Sequence, residues 1–373
     1  MHAQRHQISR PESGGNYQLS SFHFGKPGSG KKVYIQAALH ADEVPGMLVA
    51  QFLRTALLAA EADGSLVGEV VLVPAANPLG LAQAIIGAPF GRFDLSTGTN
   101  FNRTYKHVAA DLKISLAGKL TADPAANTAL VRQHALASVA SWHAATDAEA
   151  LKKILLGLAI DADIVLDLHC DNEAVIHLYT GTPLAAAIAP LTALLQAHAV
   201  LLALEAGEEP FDEACSRLWW DLAAHFGEAT PIPMACLSTT VELRGEMDVS
   251  YELAAHDAQA LIAFLAHSGV LRLAQLPPLP TPLCQPTPLE GVEPLVAPHA
   301  GVLVLRQPLG ATLAAGTAVA DLIDPVSGAV TTVCNTVPGV LFARTAHRHL
   351  LRGMAIGKIA GATAFRAGKL LSQ

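Results

Sequence analysis

Basic charge is scarce in this chain: 24 Lys and Arg stand against 32 Asp and Glu in 373 residues, for a formal net charge of −8. Without a basic field, neither nucleic acid nor an anionic lipid surface is expected as a partner. Cysteine is also sparse. Cys170, Cys215, Cys236, Cys284 and Cys334 are odd in number and contain no C-x-x-C pair, so no disulfide framework is implied and a reducing cytoplasm is the expected location. Charged residues make up only 15% of the chain and hydrophobic ones 51%, with a mean hydropathy of +0.36. Such a composition rules out global disorder and supplies a sizeable core. An apolar run behind the basic residues of MHAQRHQISRPESGG is lacking as well, so no secretory leader is expected. Residues 174–204 lack any Asp, Glu, Lys or Arg, yet they hold Pro183, Pro190, Gln196 and His198 and have acidic flanks. That argues for a buried strand, turn and helix rather than a membrane span.

Organisation follows from proline and from hydrophobic period. Six prolines fall within 277–288, a stretch that cannot continue a helix or a central strand and reads as a linker. The expected division is therefore an α/β catalytic domain over 1–276, a linker over 277–288 and a small β-rich domain over 289–373. In the first part the runs VYIQAAL (33–39), VVLVPAA (70–76), DIVLDLHC (163–170) and ACLSTTVEL (235–243) are continuously apolar, as in strands covered on both faces. Helical spacing separates them over 47–60 and 252–267. Alternating strands and helices predict an α/β fold with a mixed, mostly parallel sheet and helices on both faces. Beyond the linker, glycines 301, 310, 316 and 328 punctuate short strands that resemble a biotinyl/lipoyl-type barrel-sandwich. Its modifiable lysine is absent, Ile323 to Val326 standing in that place, so a structural or lid role fits better than group carriage.

One motif is a decoy. GKPGSGKK (25–32) meets most of a phosphate-loop pattern, but Lys32 cannot supply the Mg²⁺-binding hydroxyl and a strand follows where a helix is required. A turn between strands is expected there.

Four segments carry the chemistry. His40 and Glu43 follow the first strong strand, where open α/β sheets place ligands, and three-residue spacing across a tight turn lets both reach one cation. Taken alone, such a pair also occurs on solvated helix faces. Asp167 and His169 end another strand on one face; His169 could be a third ligand and Asp167 its orienting partner, the alternative being a core histidine and a helix-capping aspartate. Two imidazoles and a carboxylate leave an open fourth position, as in catalytic zinc sites. Arg92, Asp94 and the Asn102-Arg103 pair lie between them. The pair suits a substrate carboxylate, unless the segment is a surface loop held by Arg92–Asp94 pairing. Finally, Glu242 ends the strand TTVELRG at the crevice rim, a place for a general base, with Arg244 two residues on. In isolation those two read as an exposed ion pair worth little.

Taken in order, His40-x-x-Glu43, Asn77-Pro78, Asn102-Arg103, Asp167-Leu168-His169 and Thr240-Val241-Glu242 resemble the succinylglutamate desuccinylase/aspartoacylase family, relatives of the zinc carboxypeptidases (M14 superfamily). The resemblance covers about residues 30–270. It implies one Zn²⁺ per chain held by His40, Glu43 and His169, with Glu242 as base and proton shuttle. It also implies Asn102 and Arg103 on the substrate carboxylate and Arg92 on the scissile carbonyl. Arg244 would be a further cation selecting an acidic group. The chain departs from the family pattern in having Ala41 for a glycine, Asn100-Phe101 for Asp-Leu, and Cys170 for a threonine. Hydrolysis of a small N-acyl amino acid is the activity expected. A carboxypeptidase-like peptide hydrolase and a non-catalytic metal- or ligand-binding module are the alternatives, and self-association into a homo-oligomer is left open. Neither G-x-S-x-G nor H-E-x-x-H occurs in the chain.

Overall fold

A computed structural model of the chain describes residues 1–9, 16–368 and 370–371. Segment 10–15, part of the stretch inspected above for a leader, lies outside the described residues. Strands β1 (His2–Gln7), β2 (Gln18–Phe24) and β3 (Lys32–Ala37) open the fold. Helix α1 (Pro45–Asp63), strand β4 (Glu69–Val73), the short helix α2 (Pro78–Leu81) and a ribbon of β5 (Ala84–Ile85) and β6 (Ala88–Pro89) come next. Helices α3 (Ala109–Ser115), α4 (Pro124–Ala140) and α5 (Asp147–Ala159) lead to β7 (Ile164–Asp171). After these run β8 (Glu173–Ala174), β9 (His177–Gly181), α6 (Ala185–Leu195), β10 (Ala199–Ala203), α7 (Phe211–Phe226) and β11 (Leu237–Gly245). Helix α8 (Tyr251–His267) and strand β12 (Thr287–Pro288) complete this part.

The strands form one nine-stranded sheet in the order β1-β2-β4-β3-β7-β11-β9-β10-β12. It is mixed and mostly parallel, as the patterning predicts: β4, β3, β7 and β11 run parallel to one another, while β9 is antiparallel to β11. Apolar side chains leave both faces. Val33, Ile35 and Ala37 join Leu166 and Leu168 under α1, α6 and α8, whereas Tyr34 and Val165 join the opposite cluster with α3, α4, α5 and α7. A strand covered twice has no polar face, which is why these runs read as continuous. The charge-free stretch 174–204 resolves into β9, α6 and β10. Among the described residues, no helix is long and apolar enough to cross a membrane. All five cysteines are free.

GKPGSGKK turns the chain between β2 and β3. The proline-rich segment is not wholly outside the fold: Thr287 and Pro288 pair with β10 at the sheet edge, where a missing amide proton breaks no central ladder. The rest comprises β13 (Val292–Val296), β14 (Gly301–Leu305), β15 (Thr312–Leu313), β16 (Ala318–Ile323), β17 (Val330–Cys334), β18 (Gly339–Arg344), β19 (His349–Leu350) and β20 (Ala355–Gly361). These make two facing sheets, β13-β20-β18-β15 and β17-β16-β14-β19, and β8 of the α/β part pairs with β18.

From β3 the chain crosses one way to β4, and the later strands β7 and β11 lie on the other side, so the reversal in strand order falls between β3 and β7. Ligands gather at such a crevice beyond the strand ends. Two glycines let backbone close in around it. A Cβ on Gly46 would stand 3.1 Å from the Cβ atoms of Ala37 and Leu168, and one on Gly91 would stand 2.4 Å from the Asp42 amide nitrogen. Overpacking of that kind costs about 1–3 kcal/mol. Gly91→Ala is therefore expected to lower the unfolding free energy by that amount in chemical denaturation, and an unchanged midpoint would show that the 40–43 loop can yield.

Candidate metal centre and active site

β3 is followed by Ala38, which takes a left-handed φ of 59°, and the turn this makes delivers His40 and Glu43 inward just before α1. Neighbouring β7 carries His169, and β11 places Glu242 directly opposite it in register. His40, Glu43, Asp167 and His169 are all at most 4% exposed. Ligand atoms of His40, Glu43 and His169 lie within 4.8 Å of one another. Glu43 sits between the rings, with Oε1 2.8 Å from His40 Nδ1 and Oε2 2.6 Å from His169 Nδ1.

The far nitrogens are anchored elsewhere, which decides what the near ones can do. His40 Nε2 lies 2.8 Å from Asn100 Oδ1, which also accepts the Asn102 amide. An acceptor so placed requires the proton on His40 Nε2 and leaves the Nδ1 lone pair facing the cluster. His169 Nε2 lies 3.0 Å from Asp167 Oδ2. Asp167 in turn accepts from Gln36 Nε2 at 2.9 Å, and Gln36 Oε1 accepts from the Tyr34 hydroxyl. Asp167 thus orients a ring and caps no helix. Such outer contacts hold metal ligands in place.

Electrostatics support a cation at this point. Burial, then the Arg92 guanidinium, lowers His40 to about 4, so the ring stays neutral. Burial would lower His169 too, but the Asp167 and Glu43 carboxylates outweigh it and hold its pKa well above the usual value. Burial would raise Glu43, yet the two imidazoles keep it well below the carboxylate range. Glu242 is pushed up to about 8 by burial and by Glu43. Glu43, Asp167 and Glu242 thus crowd one small buried volume that disfavours the charged form of Glu242, and a bound divalent cation would reverse that. Two imidazoles and one carboxylate, with further carboxylates behind, fit a divalent cation.

Arg92 reaches over this cluster, its Nη1 3.1 Å from Glu43 Oε1 and 3.3 Å from His40 Nδ1. Asp94 does not pair with it but accepts from Ser96 and Thr97. Asn102 lies beside His169, and its Oδ1 accepts the Phe211 amide. Arg103 donates to the Asn102 carbonyl, and its Nε is 3.9 Å from Glu208. A cavity of about 300 Å³ joins His40, Glu43, Arg92, Asn102, Arg103, His169 and Glu242. One expected member is elsewhere. Arg244 takes a φ of 65° at a bulge following Glu242, and this turns its guanidinium onto Asp257 of α8 and away from the cavity. Strict alternation would have kept it beside Glu242.

Several residues here carry no signal of their own in the sequence. Asn77 caps α2 through Gly80 and donates to the Leu39 carbonyl, tying two loops. Lys152, 1% exposed, donates to the carbonyls of Asn100 and Arg103 and to the Thr104 hydroxyl, and so staples the loop bearing Asn102. Lys358 of β20 reaches the cavity and pairs with Asp171 at 2.5 Å. Asp212 and Glu213, at the start of α7, line it too. Two exceptions are Asn77, which belongs to the Asn77-Pro78 motif, and Asn100, a departure from a familiar one.

Comparisons with known proteins agree with this geometry. The family model for the succinylglutamate desuccinylase/aspartoacylase catalytic domain matches residues 29–268. Among solved structures, a Shewanella amazonensis SB2B protein assigned to that family is 25% identical, superposes with a TM-score of 0.82, and shares 96% of this chain and 98% of its own. A counterpart from Shewanella frigidimarina NCIMB 400 is 24% identical, with a TM-score of 0.85 and 96% of both chains covered. The ectoine utilization protein EutE (DoeB) of Ruegeria pomeroyi, solved with product bound, shares the fold at 18% identity and a TM-score of 0.64, over 96% of this chain and 94% of its own. No curated protein matches the sequence.

Replacing an outer partner of a metal ligand costs about 10–100-fold in affinity. Asn100→Ala is expected to weaken divalent-cation binding by that factor in chelator competition while leaving the fold intact; unchanged affinity would remove Asn100 from the site.

Proposed function

Because the chain belongs to the succinylglutamate desuccinylase/aspartoacylase family, a family of hydrolases, we propose that it is a zinc-dependent hydrolase of small N-acyl amino acids. The observation that supports this best is a shared focus: two Nδ1 atoms and Glu43 point to one place, and Glu242 stands across from His169 in the same small cavity. Volume favours a compact amide over a polypeptide, since about 300 Å³ is at the lower end of small-molecule sites.

His40, Glu43 and His169 would hold the ion. Zinc bound by two imidazoles and one carboxylate supplies Lewis-acid activation of a water and of a carbonyl oxygen. Glu242 takes a proton from the attacking water and passes it to the departing nitrogen, so the amide gives one carboxylate and one amine. Its Oε2 has no hydrogen-bond partner among the described residues, which leaves that oxygen available for proton transfer. Arg92 places a guanidinium beside the carbonyl's position, and Asn102 with Arg103 receives the carboxylate of the amino acid. Lys152 keeps that clamp in register from behind. The histidines would not act as bases, since their Nδ1 lone pairs would hold the ion.

Purified protein is expected to carry about one zinc per chain. Glu242→Gln should retain it and lose about 10²–10⁴ in the rate of amine release from N-acyl amino acids; a rate within tenfold of wild type would discard Glu242 as the base. A His40→Ala, His169→Ala double variant is expected to lose the metal, and full zinc content in that protein would end this reading.

A further inference from the structure

Beyond β20, residues 370–371 return to the α/β part, and Leu371 lines the catalytic cavity. The amides of Phe365 and Arg366 donate to the Glu290 carbonyl, and the Arg366 guanidinium donates to the carbonyls of Val292 and Leu370. The Leu370 amide then donates to the Ala206 carbonyl at 3.1 Å, between β10 and α7. Leu370 is 6% exposed in a cluster with Leu201, Ala203, Ala206 and Leu289. Leu371 packs on the same cluster, and together with those four residues it forms one continuous apolar part of the cavity wall.

The charges near this wall are already matched. Lys358 is paired with Asp171 and Arg92 with Glu43, while Arg244 is turned to Asp257. A second carboxylate on the substrate would have to break one of these pairs. Glu213, which lines the cavity and meets this wall at Ala206, accepts the Ala206 amide on its Oε1, and burial followed by Asp212 pushes it up to about 8, which keeps it uncharged near neutrality.

We propose that this end of the cavity is a specificity chamber for an uncharged aliphatic group of the amide substrate, walled by Leu201, Ala203, Ala206, Leu289 and Leu371. The proposal refines the deacylase reading and rests on it. The aliphatic group belongs either to the acyl part or to the amino-acid side chain, and two ligand series separate these sources.

Calorimetric binding and amine release are measured side by side on the full chain. N-acetyl-, N-butyryl-, N-hexanoyl- and N-succinylglycine form the acyl series; N-acetylalanine, N-acetylleucine and N-acetylaspartate form the side-chain series. In one series the wild-type protein is expected to gain about fourfold in affinity per added methylene until the chamber is full. The succinyl or aspartate member should bind about tenfold more weakly than its aliphatic counterpart. Leu371→Ala should move the optimum to a longer chain in that series, and Leu371→Asp should flatten it, with thermal unfolding and Leu371→Met as controls for folding. Tightest binding of the acidic members, or a gradient unaltered in both variants, overturns the chamber. A gradient without amine release from any ligand keeps the chamber and removes the hydrolase, whereas release without a gradient does the reverse.

Discussion

A single buried carboxylate organises this molecule. Glu43 touches both imidazoles, the Cys170 amide and the Arg92 guanidinium. Because it is 4% exposed, each of those contacts has to be present for the charge to be tolerated inside. The arrangement is possible only because β3, β7 and β11 are neighbours running the same way, so that their ends open onto one crevice. Further back, Tyr34, Gln36 and Asp167 form a hydrogen-bonded row across β3 and β7 that keeps the His169 ring from turning. Polar groups inside the sheet are therefore spent on orientation, while both of its faces remain apolar.

The carboxy-terminal β-rich region is coupled to this centre through the strand that carries His169. Within four residues of that histidine, Asp171 pairs with Lys358, and Glu173 pairs with Arg344 and Arg348. Glu173 and Ala174 also add a short strand to the β18 edge. Displacing the β-rich region would strip partners from the ligand strand and would take Lys358 and Leu371 out of the cavity wall. Its missing carrier lysine fits that reading: the region is built into the site and presents no swinging arm.

Much of this could be read from the chain, for a reason rooted in geometry. Continuous apolar runs mark doubly covered strands, and polar residues at their ends have nowhere to go but the crevice, so His40, Glu43, His169 and Glu242 announce themselves together. Arg244 shows where the logic stops. One residue at a left-handed φ after Glu242 reverses the alternation that would have aimed it at the cavity. Lys152, Lys358 and Leu371 were out of reach for a different reason. Each meets the site through contacts with distant parts of the chain, such as Lys152 with the 100–104 loop, and an isolated lysine on a helix carries no mark of that.

Asn100 illustrates how a departure from a family pattern can be physically reasonable. Where the family has aspartate, this chain presents a neutral carbonyl to His40 Nε2, held in orientation by the Asn102 amide. Either acceptor fixes the same tautomer, but they differ in charge. Glu43, Asp167 and Glu242 already share the crevice, and a fourth carboxylate would raise the cost of burying the others without adding a ligand. With the amide, burial and Arg92 keep His40 neutral, its lone pair on Nδ1. The residue that looks like a loss of charge therefore preserves the tautomer and the ligand geometry of His40.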